Sequence, residues 1–108
     1  MAMVSRFDVH LVNLDPEITR DPKNTRPCVV ISPDEINRNL PSVIVAPLAS
    51  TKTEYPTRVP VEFLNGKRHV VLDQIRTVDR ERLFKKIGEI DEASRQAIVE
   101  RLQELFAE

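Results

Sequence analysis

Cysteine, glycine and large aromatic residues are scarce in this chain of 108 residues, which has one cysteine, two glycines, one tyrosine and no tryptophan. One cysteine cannot form an internal disulfide. Cys28 precedes the apolar residues 29–31, so we expect a buried, unreactive thiol. With only Gly66 and Gly88 there is no glycine-rich phosphate loop, which argues against P-loop and Rossmann nucleotide binding. The length suits one domain covering residues 1–108.

Metal ligands are equally few. His10 and His69 are the two histidines, they lie far apart, and no pair of His and Cys residues has the spacing of zinc ligands. We therefore expect neither a metal nor another cofactor. We also expect both histidines to face solvent or a neighbouring group.

Long hydrophobic runs are missing as well. No stretch approaches the roughly 20 apolar residues that span a bilayer. The first six residues lack the apolar core of a signal peptide. These absences predict a cytoplasmic protein that does not enter a membrane.

The charge is nearly balanced, with a net value of −1, which by itself argues against strong nucleic-acid binding. Its distribution is uneven, because residues 1–88 contain 14 basic and 11 acidic side chains. The remaining residues contain two basic and six acidic side chains. This asymmetry permits a basic face for RNA without demonstrating one.

Hydrophobic periodicity predicts short strands followed by a helix. The predicted strands cover residues 7–14, 27–32, 42–48, 57–63, 69–72 and 85–90. Asn65-Gly66 lies between two extended runs and predicts a hairpin. Five or six short strands indicate a mainly β fold, a small and strongly bent sheet or barrel.

Helical segments are predicted at three places. Ser32 as N-cap and Pro33 as first residue predict one turn over residues 33–38, and residues 77–83 predict another. Asp91 is the predicted N-cap of a helix that reaches about residue 108. Residues 98, 102 and 105 form its apolar face, which we expect to pack on the sheet.

Polar residues at the ends of strands are the candidates for chemistry. Arg26 precedes Pro27 at the start of a buried strand, where its permanent charge could neutralise a phosphate or simply face solvent. The hydroxyls and cation of residues 50–53 could grip a phosphate or form a solvated turn. Asp73 and Arg76 follow another strand, where an internal ion pair is at least as plausible as catalysis.

Five segments resemble the MazF/PemK/Kid family of toxin endoribonucleases, in the family's order and spacing. They are Asp8-Val9-His10-Leu11-Val12-Asn13-Leu14-Asp15-Pro16, Thr25-Arg26-Pro27-Cys28-Val29-Val30-Ile31-Ser32-Pro33, Val43-Ile44-Val45-Ala46-Pro47-Leu48, Tyr55-Pro56-Thr57-Arg58-Val59-Pro60 and Val71-Leu72-Asp73-Gln74-Ile75-Arg76-Thr77-Val78-Asp79. The resemblance implies an SH3-like β-barrel of the CcdB/PemK type, with short helical insertions and a C-terminal helix. It also implies a homodimer, an antitoxin partner with a flexible tail, and metal-independent cleavage of single-stranded RNA.

Carried onto this sequence, the family's catalytic residues fall on Arg26, Asp21, Asp73 and Ser50. The RNA-binding residues are predicted in the loops at 17–25 and 50–55 and after the late strand. They are Lys23, Thr25, Thr51, Lys52 and Arg76. The mechanism implied is attack by the 2′-hydroxyl, giving a 2′,3′-cyclic phosphate and a 5′-hydroxyl.

One position departs from the family, because Ala49 stands where the resemblance places a catalytic threonine. Three explanations are open. Ser50 or Thr51 takes over the role; the protein is weakly active or inactive; or Ala49 was introduced so that a toxic protein could be produced. The competing functions are a catalytically dead relative and a CcdB-like toxin that binds DNA gyrase and cleaves nothing.

Overall fold

A computed structural model describes residues 3–14, 24–50 and 57–107. The strands in these ranges are β1 Asp8–Asn13, β2 Thr25–Val30, β3 Ser42–Ala49, β4 Arg58–Phe63, β5 Gly66–Val71, β6 Arg76–Asp79 and β7 Leu83–Glu89. The α-helices are α1 Asp34–Asn39 and α2 Glu92–Phe106, and short 3₁₀ turns cover Leu72–Gln74 and Arg80–Arg82.

All strand pairs form one antiparallel sheet in the order β4-β5-β3-β2-β1-β7. β3 is the longest strand and borders three others. One of its edges pairs with β2, while the other is shared between β6 at Ser42–Val45 and β5 at Leu48–Ala49. This sharing splays β5 from β6 and helps the sheet curl into a half-barrel, which confirms the predicted mainly β, SH3-like fold.

The inner face of the curled sheet carries the larger core. Alternate residues of the strands, such as Val29, Ala46 and Val70, meet there and are fully buried. Helix α2 covers this face with Ile98, which is also fully buried, and with Leu102 beside it. The helix therefore packs on its own sheet, as expected, although Leu105 at its end is exposed.

The opposite face of the sheet is covered only in part. A second apolar cluster centres on Val12, Cys28 and Val45, which are fully buried. Val4 belongs to this cluster, and Leu83 packs against it. Beyond these residues the same face continues without a covering element among the described residues.

The two ends of the sheet approach each other at Phe63 of β4 and Gly88 of β7. A Cβ atom at Gly88 would lie 2.7 Å from carbons of the Phe63 ring. The ring therefore fills space that only glycine leaves open, and this contact helps to close the half-barrel.

The hairpin predicted at Asn65-Gly66 is present, but its turn lies one residue earlier. Phe63 pairs with Gly66, so the two-residue loop is Leu64-Asn65. Both loop residues have positive φ, 52° and 60°, as a type I′ turn requires. Gly66 is instead the first residue of β5.

One local prediction is wrong and another is right only in part. Ser32 does not cap α1; the N-cap is Pro33, which makes no side-chain hydrogen bond. The Ser32 hydroxyl is buried, donates to the side chain of Asn37 and accepts from the backbone N–H of Ile44. In the segment predicted as a helical turn, residues 77–79 belong to β6 instead, because the free edge of β3 pairs with them and buries Val78. The helical part is the 3₁₀ turn Arg80–Arg82.

The cap of α2 is as predicted. Asp91 is the N-cap, and its Oδ1 accepts a hydrogen bond of 2.8 Å from the backbone N–H of Ser94. The helix that follows has 15 residues. Within the described ranges no helix is both long and apolar enough to cross a membrane.

Candidate functional site

A groove of about 510 Å³ lies on the sheet face opposite the larger core, in the part of that face that the second apolar cluster leaves open. Its floor is apolar, and its polar lining consists of three arginines and one glutamine. The lining residues are Leu14, Arg26, Pro27, Cys28, Val45, Pro47, Leu48, Ala49, Arg58, Val71, Gln74 and Arg76. The groove is thus an open, basic extension of the second apolar cluster.

Three arginines line the groove, and each comes from a different strand. Arg26 is at the start of β2, Arg58 begins β4 and Arg76 begins β6. Arg26 and Arg76 are exposed, whereas Arg58 is half-buried. Because a guanidinium stays protonated at any physiological pH, the groove presents fixed positive charge to an anion.

The Cys28 thiol lies on the groove floor and is fully buried. Burial raises its pKa to about 12, an effect that the positive charges of Arg76 and Arg26 partly oppose. The thiol is therefore protonated at neutral pH and is a poor nucleophile, as the sequence predicted. Both arginines therefore lie close enough for their charges to act on the thiol.

Asp73 reaches the groove through Arg58. Its Oδ1 lies 3.7 Å from Arg58 Nε and accepts a hydrogen bond of 3.0 Å from the Thr57 hydroxyl. Asp73 itself is exposed and does not line the groove. Asp73 thus places a carboxylate in an ion pair with one of the groove arginines.

Of the predicted site residues near the ends of β2 and β3, some line the groove and others do not. Ala49 lines the groove, at the position where a hydroxyl was expected, and supplies only a methyl group. Ser50 follows the strand, is exposed and is absent from the lining. Thr25 pairs with Asn13 across β1 and β2 and is also absent from the lining. The catalytic role of Ser50 and the RNA contact of Thr25 stay predictions.

Four other predicted site residues lie outside the described residues. They are Asp21, Lys23, Thr51 and Lys52. Of the predicted site residues that the structure describes, Arg26 and Arg76 line the groove together, and Asp73 adjoins it through Arg58.

Sequence reasoning missed Arg58 and Gln74 as groove residues. The signal for Arg58 was present, because Val59 and Val61 alternate with it and point into the core. That alternation places Arg58 on the other face of the sheet. Nothing in the sequence showed that this face is open at Arg58.

Metal ligands do not converge in the part of the chain that the structure describes, where no group of three His, Cys, Asp or Glu side chains could hold an ion. The donor set of the groove is cationic, and an arginine-lined groove suits an anion such as a phosphodiester better than a metal ion.

The chain matches the family of PemK-like, MazF-like toxins of type II toxin–antitoxin systems over residues 5–106. It is 34% identical over 110 residues to endoribonuclease EndoA of Bacillus subtilis strain 168, covering 94% of this chain and 92% of the relative. It is 35% identical over 97 residues to endoribonuclease MazF of Staphylococcus epidermidis, covering 84% and 81% of the two chains.

Solved structures share the fold at lower identity. A MazE–MazF structure from Deinococcus radiodurans has a TM-score of 0.80 at 20% identity and covers 99% of this chain and 98% of that one. An endoribonuclease from a mycobacterial species, solved in complex with its cognate antitoxin, has a TM-score of 0.77 at 23% identity. That comparison covers 94% and 92% of the two chains.

Proposed function

This chain belongs to the family of PemK-like, MazF-like toxins of type II toxin–antitoxin systems, and on that premise we propose that it is an endoribonuclease cutting single-stranded RNA. The observation that carries the proposal is the meeting of Arg26, Arg58 and Arg76 in one open groove. The two curated relatives named above are themselves called endoribonucleases. Single-stranded RNA fits such a groove because its phosphate backbone and its unpaired bases are both accessible.

The proposed reaction uses the nucleophile that RNA carries. The 2′-hydroxyl attacks the adjacent phosphorus, the bond to the 5′-oxygen breaks, and the products are a 2′,3′-cyclic phosphate and a 5′-hydroxyl. No metal is needed, because Arg26 and the other groove arginines stabilise the extra negative charge on the phosphate. Arg26 is a poor general base, since its neutral form is almost unpopulated near pH 7. Asp73 or Asp21 accepts the proton of the 2′-hydroxyl, and Ser50 with Thr51 hydrogen-bonds the phosphate.

A second candidate function follows from Ala49. Its methyl group lines the groove beside the arginines, and a methyl group neither binds a phosphate oxygen nor transfers a proton. A relative with an intact RNA groove and impaired catalysis fits this observation. Such a protein would still bind RNA and antitoxin.

The remaining parts of the proposal concern assembly and location. We propose that residues 1–108 act as one toxin domain, that two copies form a homodimer in the cytoplasm, and that a cognate antitoxin covers the groove with a flexible tail. Cationic side chains in the groove would favour an acidic segment in that tail.

The test is digestion of a long, unstructured RNA by the purified protein with a chelator present, followed by mapping of the product ends. We expect cuts at a short recurring sequence, each leaving a cyclic phosphate and a 5′-hydroxyl. An Arg26→Ala preparation, purified in parallel, reports any contaminating nuclease. Absence of cleavage at high protein concentration, with tight binding to gyrase, would support the CcdB-like function instead.

A further inference from the structure

His69 lies directly opposite Ala49 in the sheet. The β3–β5 ladder pairs Ala49 with His69, and the β4–β5 ladder pairs His69 with Pro60. Residues that are directly opposite in antiparallel strands project to the same face, with Cβ atoms roughly 5 Å apart. Since Ala49 lines the groove, His69 stands at its border.

The neighbours of His69 along β5 and across β4 also indicate that its side chain is on the groove face. Val71, two residues along β5, lines the groove, and side chains two apart on a strand share a face. Arg58 pairs with Val71, so it is a diagonal neighbour of His69, typically about 7–8 Å away. The imidazole is therefore next to the cationic part of the groove.

The imidazole lacks a partner for one of its nitrogens. His69 is half-buried, and its Nδ1 is buried without a hydrogen bond. Buried polar atoms are nearly always paired, and an unpaired one in a native structure needs an explanation. Nδ1 has almost no exposed surface, so a phosphodiester or ribose in the groove meets it only after the imidazole turns toward the groove. That rotation would cost no protein hydrogen bond.

The described residues that line the groove cannot donate and regain a proton near neutral pH. The three arginines stay charged, the Cys28 thiol has its pKa raised to about 12 by burial, and Gln74 does not titrate. An imidazole is the side chain suited to this exchange. A small residue at position 49 also leaves room for substrate to reach the ring.

We propose, on the basis of the proposed ribonuclease function, that His69 is the general acid of the reaction. The 2′-hydroxyl gives its proton to a carboxylate, Asp73 or Asp21, as the O2′–P bond forms. The P–O5′ bond breaks, and the imidazolium of His69 protonates the departing 5′-oxygen. The carboxylic acid then releases its proton to solvent and the neutral imidazole takes one up, which restores both groups without any further reactant.

The test compares two synthetic RNA oligonucleotides that contain the cut site mapped by digestion. One has the natural 5′-oxygen at the scissile bond and the other has sulfur in that place. A thiolate leaves without protonation, because a thiol has a pKa of only about 8.5. The variants are His69→Gln and, as a matched control, Lys67→Gln, which changes an exposed residue two positions earlier on the same strand.

We expect His69→Gln to cut the oxygen substrate on the order of 10²- to 10⁴-fold more slowly than the parent. On the sulfur substrate we expect the two proteins to agree within about threefold, which also proves that the variant is folded. Lys67→Gln should match the parent on both. An equal loss on both substrates, or no loss on either, overturns the assignment of His69. If the parent cuts neither substrate nor long RNA, the proposed ribonuclease function itself fails.

Discussion

Asp73 holds Arg58 at the edge of the groove: its Oδ1 lies 3.7 Å from Arg58 Nε and also accepts the hydroxyl hydrogen bond of Thr57. The pair is half-exposed, so the attraction alone contributes little stability. Its importance is positional. The ion pair orients Arg58, one of the three groove arginines, and places the Asp73 carboxylate beside the proposed path of the substrate.

Asp73→Asn should separate a catalytic role from a positioning role. If the carboxylate accepts the 2′-hydroxyl proton, we expect kcat to fall roughly 10²- to 10⁴-fold with little change in KM. Steady-state cleavage of a labelled RNA measures both constants. Asp79→Asn, at an exposed position of β6, is the control. A rise in KM alone would show that Asp73 serves only to hold Arg58.

Arg26→Ala should lower kcat/KM for RNA cleavage on the order of 10²- to 10³-fold, because the lost charge acts most strongly on the transition state. Arg38→Ala removes an exposed arginine of α1 instead. We expect that control to retain parental cleavage. Equal cleavage by the parent and Arg26→Ala would remove Arg26 from the active site.

Ala49→Thr should raise the rate of RNA cleavage roughly tenfold, the value of one added hydrogen bond to the phosphate. Ala49→Val is the matched control, because valine has the shape of threonine without its hydroxyl. Single-turnover rates of the three proteins on one RNA decide the matter. If threonine brings no gain, Ser50 or Thr51 already supplies the hydroxyl.

Leu64→Asn should raise the free energy of unfolding by about 0.5–1 kcal/mol. Leu64 has a φ of 52° in the turn, and asparagine tolerates this left-handed conformation better than leucine does. Urea unfolding of both proteins gives the difference. Lys67→Asn, outside the positive-φ turn, should bring no such gain. If Leu64→Asn instead lowers the free energy of unfolding, the Leu64 side chain makes contacts that stabilise the fold by more than its positive φ destabilises it.

His10 should make the protein less stable in mild acid. It is buried and faces Asp8 and Lys86 rather than solvent; its Nε2 lies 3.9 Å from Asp8 Oδ2. Burial lowers its pKa below 6.5; Lys86 adds to the effect and Asp8 opposes it.

The unfolded chain therefore binds the His10 proton first as the pH falls below about 6.5. This site's contribution to stability is complete above that pH and is lost below it, by at most about 1.4 kcal/mol per pH unit. Urea unfolding at pH 7.5 and pH 5.5 measures the change. His10→Gln should reduce the difference between the two pH values, and an unchanged difference would contradict the role of His10.

The sequence by itself determined the local features of this protein. Alternating apolar residues predicted most of the strands, the run beginning at Cys28 predicted a buried thiol, and Asp91 predicted the start of the terminal helix. These features depend on the pleat of a strand and on hydrogen bonds within a few residues, which the order of side chains specifies directly.

Only the tertiary structure decided which face of the sheet stays open. Alternation places Arg58 and His69 opposite the core but cannot show whether another element covers them. The same limit explains the error at Val78, whose strand forms because the distant β3 offers a free edge. Arg26, Arg58 and Arg76 meet because the sheet curls and pairs residues far apart in the chain, and no local pattern encodes that pairing.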